Sequence, residues 1–156
     1  MHDMYDDDSV KPLIDQFPRL FHGKPPEVPS SVPRGWVPLV VRLFADIDAM
    51  LDDEQAKRFH VLQIKEKFAS LSVCWKLAGQ TTTVIDVTGP EGVERLRMKP
   101  RRPTQLFERV STQVRVAETD SRNICQRCGA EGAKVGGRGW LVTLCTPCRA
   151  LQGEES

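Results

Sequence analysis

No segment of this sequence stays apolar for the ~20 residues that a membrane-crossing helix needs, so no membrane partner is expected. Its opening residues, Met1-His2-Asp3-Met4-Tyr5-Asp6-Asp7-Asp8, are acidic and lack the apolar centre of a secretory leader, which sets the expectation of a cytoplasmic protein. Histidine is scarce: there are three, and His60 alone lies beyond residue 22. No Gly-rich phosphate loop, hydrolase triad or internal repeat is visible. These gaps predict a chain that is not an enzyme and takes no small-molecule substrate.

Against these gaps stand five cysteines, four of them in a pattern. Cys125-Gln126-Arg127-Cys128 and Cys145-Thr146-Pro147-Cys148 are two Cys-x-x-Cys pairs with sixteen residues between them. Such spacing lets two tight knuckles aim four thiolates at one point, which suits a tetrahedral metal ion. One structural Zn(2+) is the expected cofactor, held by Cys125, Cys128, Cys145 and Cys148. Two disulfides, free thiols or a redox pair are the competing readings; the absence of a leader weighs against the disulfides, and the second matched pair against the redox site. Four sulfurs also close the coordination shell, so catalysis at the metal is not expected. Gly129 and the run Gly136-Gly137-Arg138-Gly139 supply the turns, and Trp140 to Leu144 is predicted to return as a strand.

At 156 residues, 40% hydrophobic and 28% charged, the chain has the length and balance of an ordinary globular domain. Residues 1–9 are read as a disordered acidic start. Val10 to Phe21 has near-helical apolar spacing, bent or ended at Pro18. Residues 23–34 hold four prolines and are read as an extended connection. Gly35-Trp36-Val37-Pro38 opens a helix whose apolar face is Val40, Leu43, Phe44, Ile47, Met50 and Leu51, with Arg42 and Asp46 as an i,i+4 pair, ending at Asp52-Asp53. Leu62, Ile64 and Phe68 share one parity, and Leu71, Val73, Trp75 and Leu77 share the next, which predicts a hairpin turning near Phe68-Ala69-Ser70. Thr81 to Thr88 is a candidate third strand, and Val93 to Pro103 is read as a basic loop or short edge element. Thr104 to Thr119 fits a helix or a strand, with the helix favoured by length. The predicted fold is therefore α+β: helices packed on a small antiparallel sheet over residues 10–119, a zinc ribbon over 120–150, and a tail over 151–156.

The formal net charge is only +1, yet the charges are segregated. From Arg95 onward the chain is basic, which allows a polyanion or an acidic protein as partner. Lys65 and Lys67, the stretch Arg95, Arg97, Lys99, Arg101, Arg102, and Arg138 beside the ribbon turn are the candidate contacts. Lys65 and Lys67 equally fit the lysines that keep an edge strand from aggregating, and Glu66 between them fits an inward carboxylate paired with an arginine. Trp36, Trp75 and Trp140 are read as packing residues, with base stacking as the alternative for Trp140. Cys74 is read as a small buried apolar group, and His60 as a strand-face residue.

The motif order resembles an uncharacterised family of small bacterial and prophage proteins. The matching residues are Phe17-Pro18-Arg19-Leu20-Phe21, Gly35-Trp36-Val37-Pro38-Leu39, Gln63-Ile64-Lys65-Glu66-Lys67-Phe68 with Leu71, and Cys125, Cys128, Gly129, Trp140, Leu144, Cys145 and Cys148. The chain departs from that pattern at Ala69-Ser70, where the family has Gly-Gly, and at Ser72-Val73-Cys74, where it has Arg-Phe-Tyr. The resemblance implies the same element order and a zinc site; it implies no activity. The function expected from the sequence is a non-enzymatic zinc-binding interaction module that binds nucleic acid through its basic C-terminal half. The alternative is a protein-binding regulator or immunity-type inhibitor.

Overall fold

The computed structural model describes residues 7–79, 83–90, 92–98 and 104–153. The architecture is α+β with a C-terminal ribbon. A 3-10 turn at Asp7–Val10 leads into α1 (Lys11–Gln16) and α2 (Pro18–Phe21). Residues 7–9, expected to be disordered, are thus ordered, and the Val32 amide donates to Ser9 Oγ at 2.9 Å. Pro18 separates the two short helices because it cannot donate into the preceding turn.

A 3-10 turn, Arg34–Trp36, opens α3 (Val37–Met50). Its buried face is Leu39, Val40, Leu43, Phe44 and Ile47. Phe17 and Phe21 close on Phe44, with ring centroids at 6.1 and 5.3 Å. Arg19 fastens α2 to the end of α3: its guanidinium reaches Asp48 Oδ1 at 2.8 Å and the Leu51 carbonyl at 2.7 Å. Those contacts satisfy carbonyls that a helix end leaves without partners. The expected Arg42–Asp46 pair is not among the ion pairs of the described residues; both side chains instead line a groove that α3 shares with Gln113, Val116, Ala117 and Asp120. Asp52 does not simply end α3. It caps a further helix, α4 (Asp53–Arg58), through a reciprocal capping box with Gln55.

β1 (Phe59–Lys67) and β2 (Ser70–Leu77) form the predicted hairpin. The inward parity of β1 differs from expectation. The register shifts between Val61 and Gln63, so Phe59, Val61 and Ile64 are buried, while Leu62 is not and Phe68 is 76% exposed. One extra residue in a strand flips every side chain beyond it. The proline-rich connection lies along β1, where the Val28 amide donates to the Leu62 carbonyl and the Ser31 amide to that of Ile64. It covers a strand edge that would otherwise offer unpaired backbone groups.

β3 (Thr83–Gly89) and β4 (Gly92–Met98) pair with each other as a separate sheet. The third strand therefore does not extend the β1–β2 sheet, and of the two readings of the basic stretch, loop or short edge element, residues 93–98 take the second as part of β4. α5 (Gln105–Ser121), capped by Thr104, resolves the helix-or-strand ambiguity. Val110, Val114 and Ala117 of α5 join the core with α3 and β2, and Phe107 packs on Trp75 at 4.9 Å. β5 (Lys134–Gly136), β6 (Val142–Leu144) and α6 (Thr146–Gly153) complete the chain. α6 runs three residues past Ala150, into the stretch read from the sequence as a tail. Cys74, expected inside, is exposed on β2.

Candidate metal centre

The first knuckle forms because the chain reverses within five residues. The Gly129 amide donates to the Cys125 carbonyl at 2.9 Å, and the Cys125 amide to that of Ala130 at 2.9 Å. Gly129 takes φ +83°, a left-handed conformation that glycine adopts without steric cost. The second knuckle opens α6, where the Arg149 amide donates to the Cys145 carbonyl at 2.9 Å. Between them the β5–β6 hairpin carries the chain back, with Val135 opposite Thr143.

The four sulfurs, Cys125, Cys128, Cys145 and Cys148, lie within 4.8 Å of one another. Cys128 and Cys145 approach to 3.6 Å. A tetrahedral ion with metal–sulfur bonds of about 2.3 Å would hold its sulfurs about 3.8 Å apart. The cluster therefore fits one metal ion bound by four thiolates, which leaves no coordination position for a substrate.

The thiols differ in their readiness to ionise. Burial opposes ionisation of Cys125, but the backbone amides of Cys145, Cys128 and Arg127 and the Cys128 thiol outweigh it and bring the group down to about 6. Burial, reinforced by the other three sulfurs, pushes Cys148 up to about 12. Cys128 is also raised: the Ala130 amide and the Cys148 thiol favour its thiolate, but burial and the Cys145 and Cys125 thiols together prevail. Several thiolates cannot share so small a space without a cation between them. A bound dication removes that conflict and deprotonates the ligands.

The ribbon is bolted to the rest of the molecule at two places. At the first, the Gly35 amide donates to the Gln126 carbonyl at 2.8 Å, and Trp36 Nε1 donates to the Ile124 carbonyl at 2.8 Å. A Cβ at Gly35 would fall 1.9 Å from the Cys125 carbonyl oxygen, so only glycine allows the knuckle to sit here. Gln126 is fully buried and pairs with Thr143: its amide donates to the Thr143 carbonyl, and the Thr143 amide donates to its Oε1 at 2.7 Å. At the second place, Thr143 Oγ1 donates to the Ala69 carbonyl at the hairpin tip, at 2.7 Å. Sequence reasoning did not single out Gln126 or Thr143, and it treated Gly35 only as part of a motif. That Gly35-Trp36 pair was the one available signal.

The basic candidates are not all brought together. Lys65 and Lys67 lie on β1 near its turn, and Arg138 is exposed in the ribbon turn. Arg95 and Arg97 belong to β4, in a different sheet. Lys99, Arg101 and Arg102 lie outside the described residues. Among the described residues Glu66 pairs with no arginine; its Oε1 accepts from the Ala69 amide at 2.6 Å and closes the turn. His60 faces His22 at 4.8 Å between ring centroids. Trp36 is buried and Trp75 half-buried, but Trp140 is 68% exposed and is not a packing residue.

No helix among the described residues is long and apolar enough to cross a membrane. No protein-family model, curated protein or solved structure matches the chain.

Proposed function

We propose that this chain is a non-enzymatic, zinc-binding interaction module that engages nucleic acid through its basic C-terminal half. Zinc is the ion that best suits four thiolates in a closed tetrahedron, since it has no geometric preference of its own to satisfy. In this reading the metal is structural, the protein works in the cytoplasm, and the chain belongs with the small bacterial and prophage proteins it resembles.

One observation carries the nucleic-acid reading. At the junction of hairpin and ribbon two carboxylates are spent on backbone amides, while Lys67, Arg122, Arg127, Lys134 and Arg138 are exposed. Glu66 accepts from Ala69, and Glu118 Oε2 accepts from the Val73 amide at 3.0 Å. Among the described residues, no salt bridge reaches Lys65, Lys67, Arg122, Arg127, Lys134 or Arg138. Cations arranged this way are available to phosphates.

The test is binding of a labelled oligonucleotide against salt concentration. Affinity should fall steeply with salt. A Lys65→Glu/Lys67→Glu variant and an Arg101→Glu/Arg102→Glu variant should each weaken binding, and should flatten the salt slope by about one for each phosphate no longer neutralised. Absent or salt-independent binding would remove the reading. The protein-binding alternative draws on the groove between α3 and α5, where Val116 is 50% exposed beside Arg42, Asp46 and Asp120. It predicts a defined complex that survives nuclease and moderate salt.

A further inference from the structure

The β1–β2 turn is built from residues that do not suit it. Phe68 and Ala69 both have positive φ, +50° and +66°. A two-residue hairpin turn of this kind normally uses Asn-Gly or Gly-Gly, because a side chain crowds the backbone there. An aromatic residue in the left-handed region is a genuine outlier, and such outliers concentrate at functional sites. Phe68 gains no burial in compensation, since it is 76% exposed.

The turn is nevertheless held firmly. Glu66 Oε1 takes the Ala69 amide, Thr143 Oγ1 binds the Ala69 carbonyl, Ser70 Oγ donates to the Glu118 carbonyl at 3.1 Å, and the Leu71 amide donates to Ser121 Oγ at 2.8 Å. Phe68 is therefore presented to solvent from a fixed platform. Trp140 is the second most exposed large apolar residue among those described, at 68%. It precedes Thr143 by three residues, which keeps it within about 10 Å of chain from the residue that binds Ala69, next to Phe68 in the hairpin tip. Lys67 is exposed beside Phe68, and Arg138 beside Trp140.

Exposed aromatic faces alternating with cations suit unpaired bases on a phosphate backbone. Duplex bases are already stacked and paired, and offer no free face. We propose that the hairpin tip and the ribbon turn form one binding face for single-stranded nucleic acid. Phe68 and Trp140 stack on bases there, and Lys67 and Arg138 meet phosphates. This inference rests on the nucleic-acid reading above and narrows it to a strand type and a place.

The experiment uses the full zinc-loaded chain and one mixed-sequence oligonucleotide, offered as single-stranded DNA, single-stranded RNA and duplex DNA at fixed salt. The single strands should bind at least about tenfold more tightly than the duplex, and the DNA and RNA arms identify which strand is preferred. Phe68→Gly and Trp140→Ala should each weaken single-strand binding by about ten- to a hundredfold. Phe68→Gly should leave the thermal midpoint unchanged or raise it, because glycine relieves the left-handed conformation. Binding should quench tryptophan fluorescence, and Trp140→Ala should abolish that quenching. Duplex binding as tight as single-strand binding, or variants that bind like the parent, would overturn this inference and leave the broader reading standing. Failure of all three nucleic acids to bind would overturn both. A Phe68→Gly variant that loses stability and binding together would assign Phe68 to structure and overturn its stacking role.

Discussion

Among the described residues, the main core gathers twenty-three buried apolar side chains around Trp36, Phe44 and Phe59, whereas the ribbon gathers five, two of them cysteines. Burying a large apolar side chain stabilises by about 1.5–3 kcal/mol, so the first set can hold a fold by the hydrophobic effect. Ala133, Val142 and Leu144 cannot do so alone. On the proposed reading the ribbon takes its stability from a metal held by the four cysteines and from its attachment to the body. One chain thus shows two ways to fix a backbone, joined at Gly35–Gln126 and Ala69–Thr143.

The largest break in that comparison is Cys125→Ser. Apparent zinc affinities of about 10–16 kcal/mol are folding energy in a site of this type. The variant should lose its metal by mass spectrometry and its protection from hydrogen exchange across residues 123–149, while α1 to α5 keep theirs. Gly35→Ala strikes the joint: the new methyl meets the Cys125 carbonyl at 1.9 Å, and the fold should lose about 3 kcal/mol in denaturant titration.

pH should separate the two regions next. Near pH 7, Cys125, at about 6, is already mostly ionised, whereas Cys128 is raised and Cys148 sits at about 12. Metal loading must therefore expel the Cys128 and Cys148 protons, so apparent zinc affinity should rise by at least about a hundredfold per pH unit. Below about 6 the Cys125 proton adds to the competition and affinity should fall faster still. Competition titration with a chromophoric chelator at several pH values checks the slope.

Two smaller effects sharpen the boundary. Thr143→Val keeps the shape but removes the donor to the buried Ala69 carbonyl, and should cost about 1–3 kcal/mol by thermal denaturation. Asp52→Ala removes the α4 cap far from the metal and should cost about 1 kcal/mol with zinc affinity unchanged.

The sequence showed the ribbon plainly because its signal is local: four thiols at fixed spacing need no knowledge of the rest of the chain. Helix α3 is legible for the same reason, through apolar periodicity, whereas the periodicity over α5 fits a strand as well and only its length favours the helix. α4 was missed although Asp52 and Gln55 spell its capping box, because its six residues carry almost no apolar face. The parity of β1 was misread because a bulge beside Leu62 leaves no mark in the residue types. Loop and short edge element stay undecided over β4 because Glu94, Arg95 and Arg97 mask its alternation, and its pairing comes from closure at Gly89 and Gly92. What holds the ribbon to the body was hidden for another reason. Trp36 bonds Ile124 across 88 positions of sequence, and no local pattern predicts a contact of that span. Nor could residue types say that Glu66 would cap the turn beside it, or that Phe68 would be left outside.

A ribbon held by metal on a body that needs none can be tested by stripping the protein with a chelator and titrating zinc back while following backbone amide exchange. Saturation should come at one zinc per chain, with protection returning at Gln126 and Thr143 and unchanged throughout α3 and β1. A metal-free protein protected equally in both regions would contradict that division.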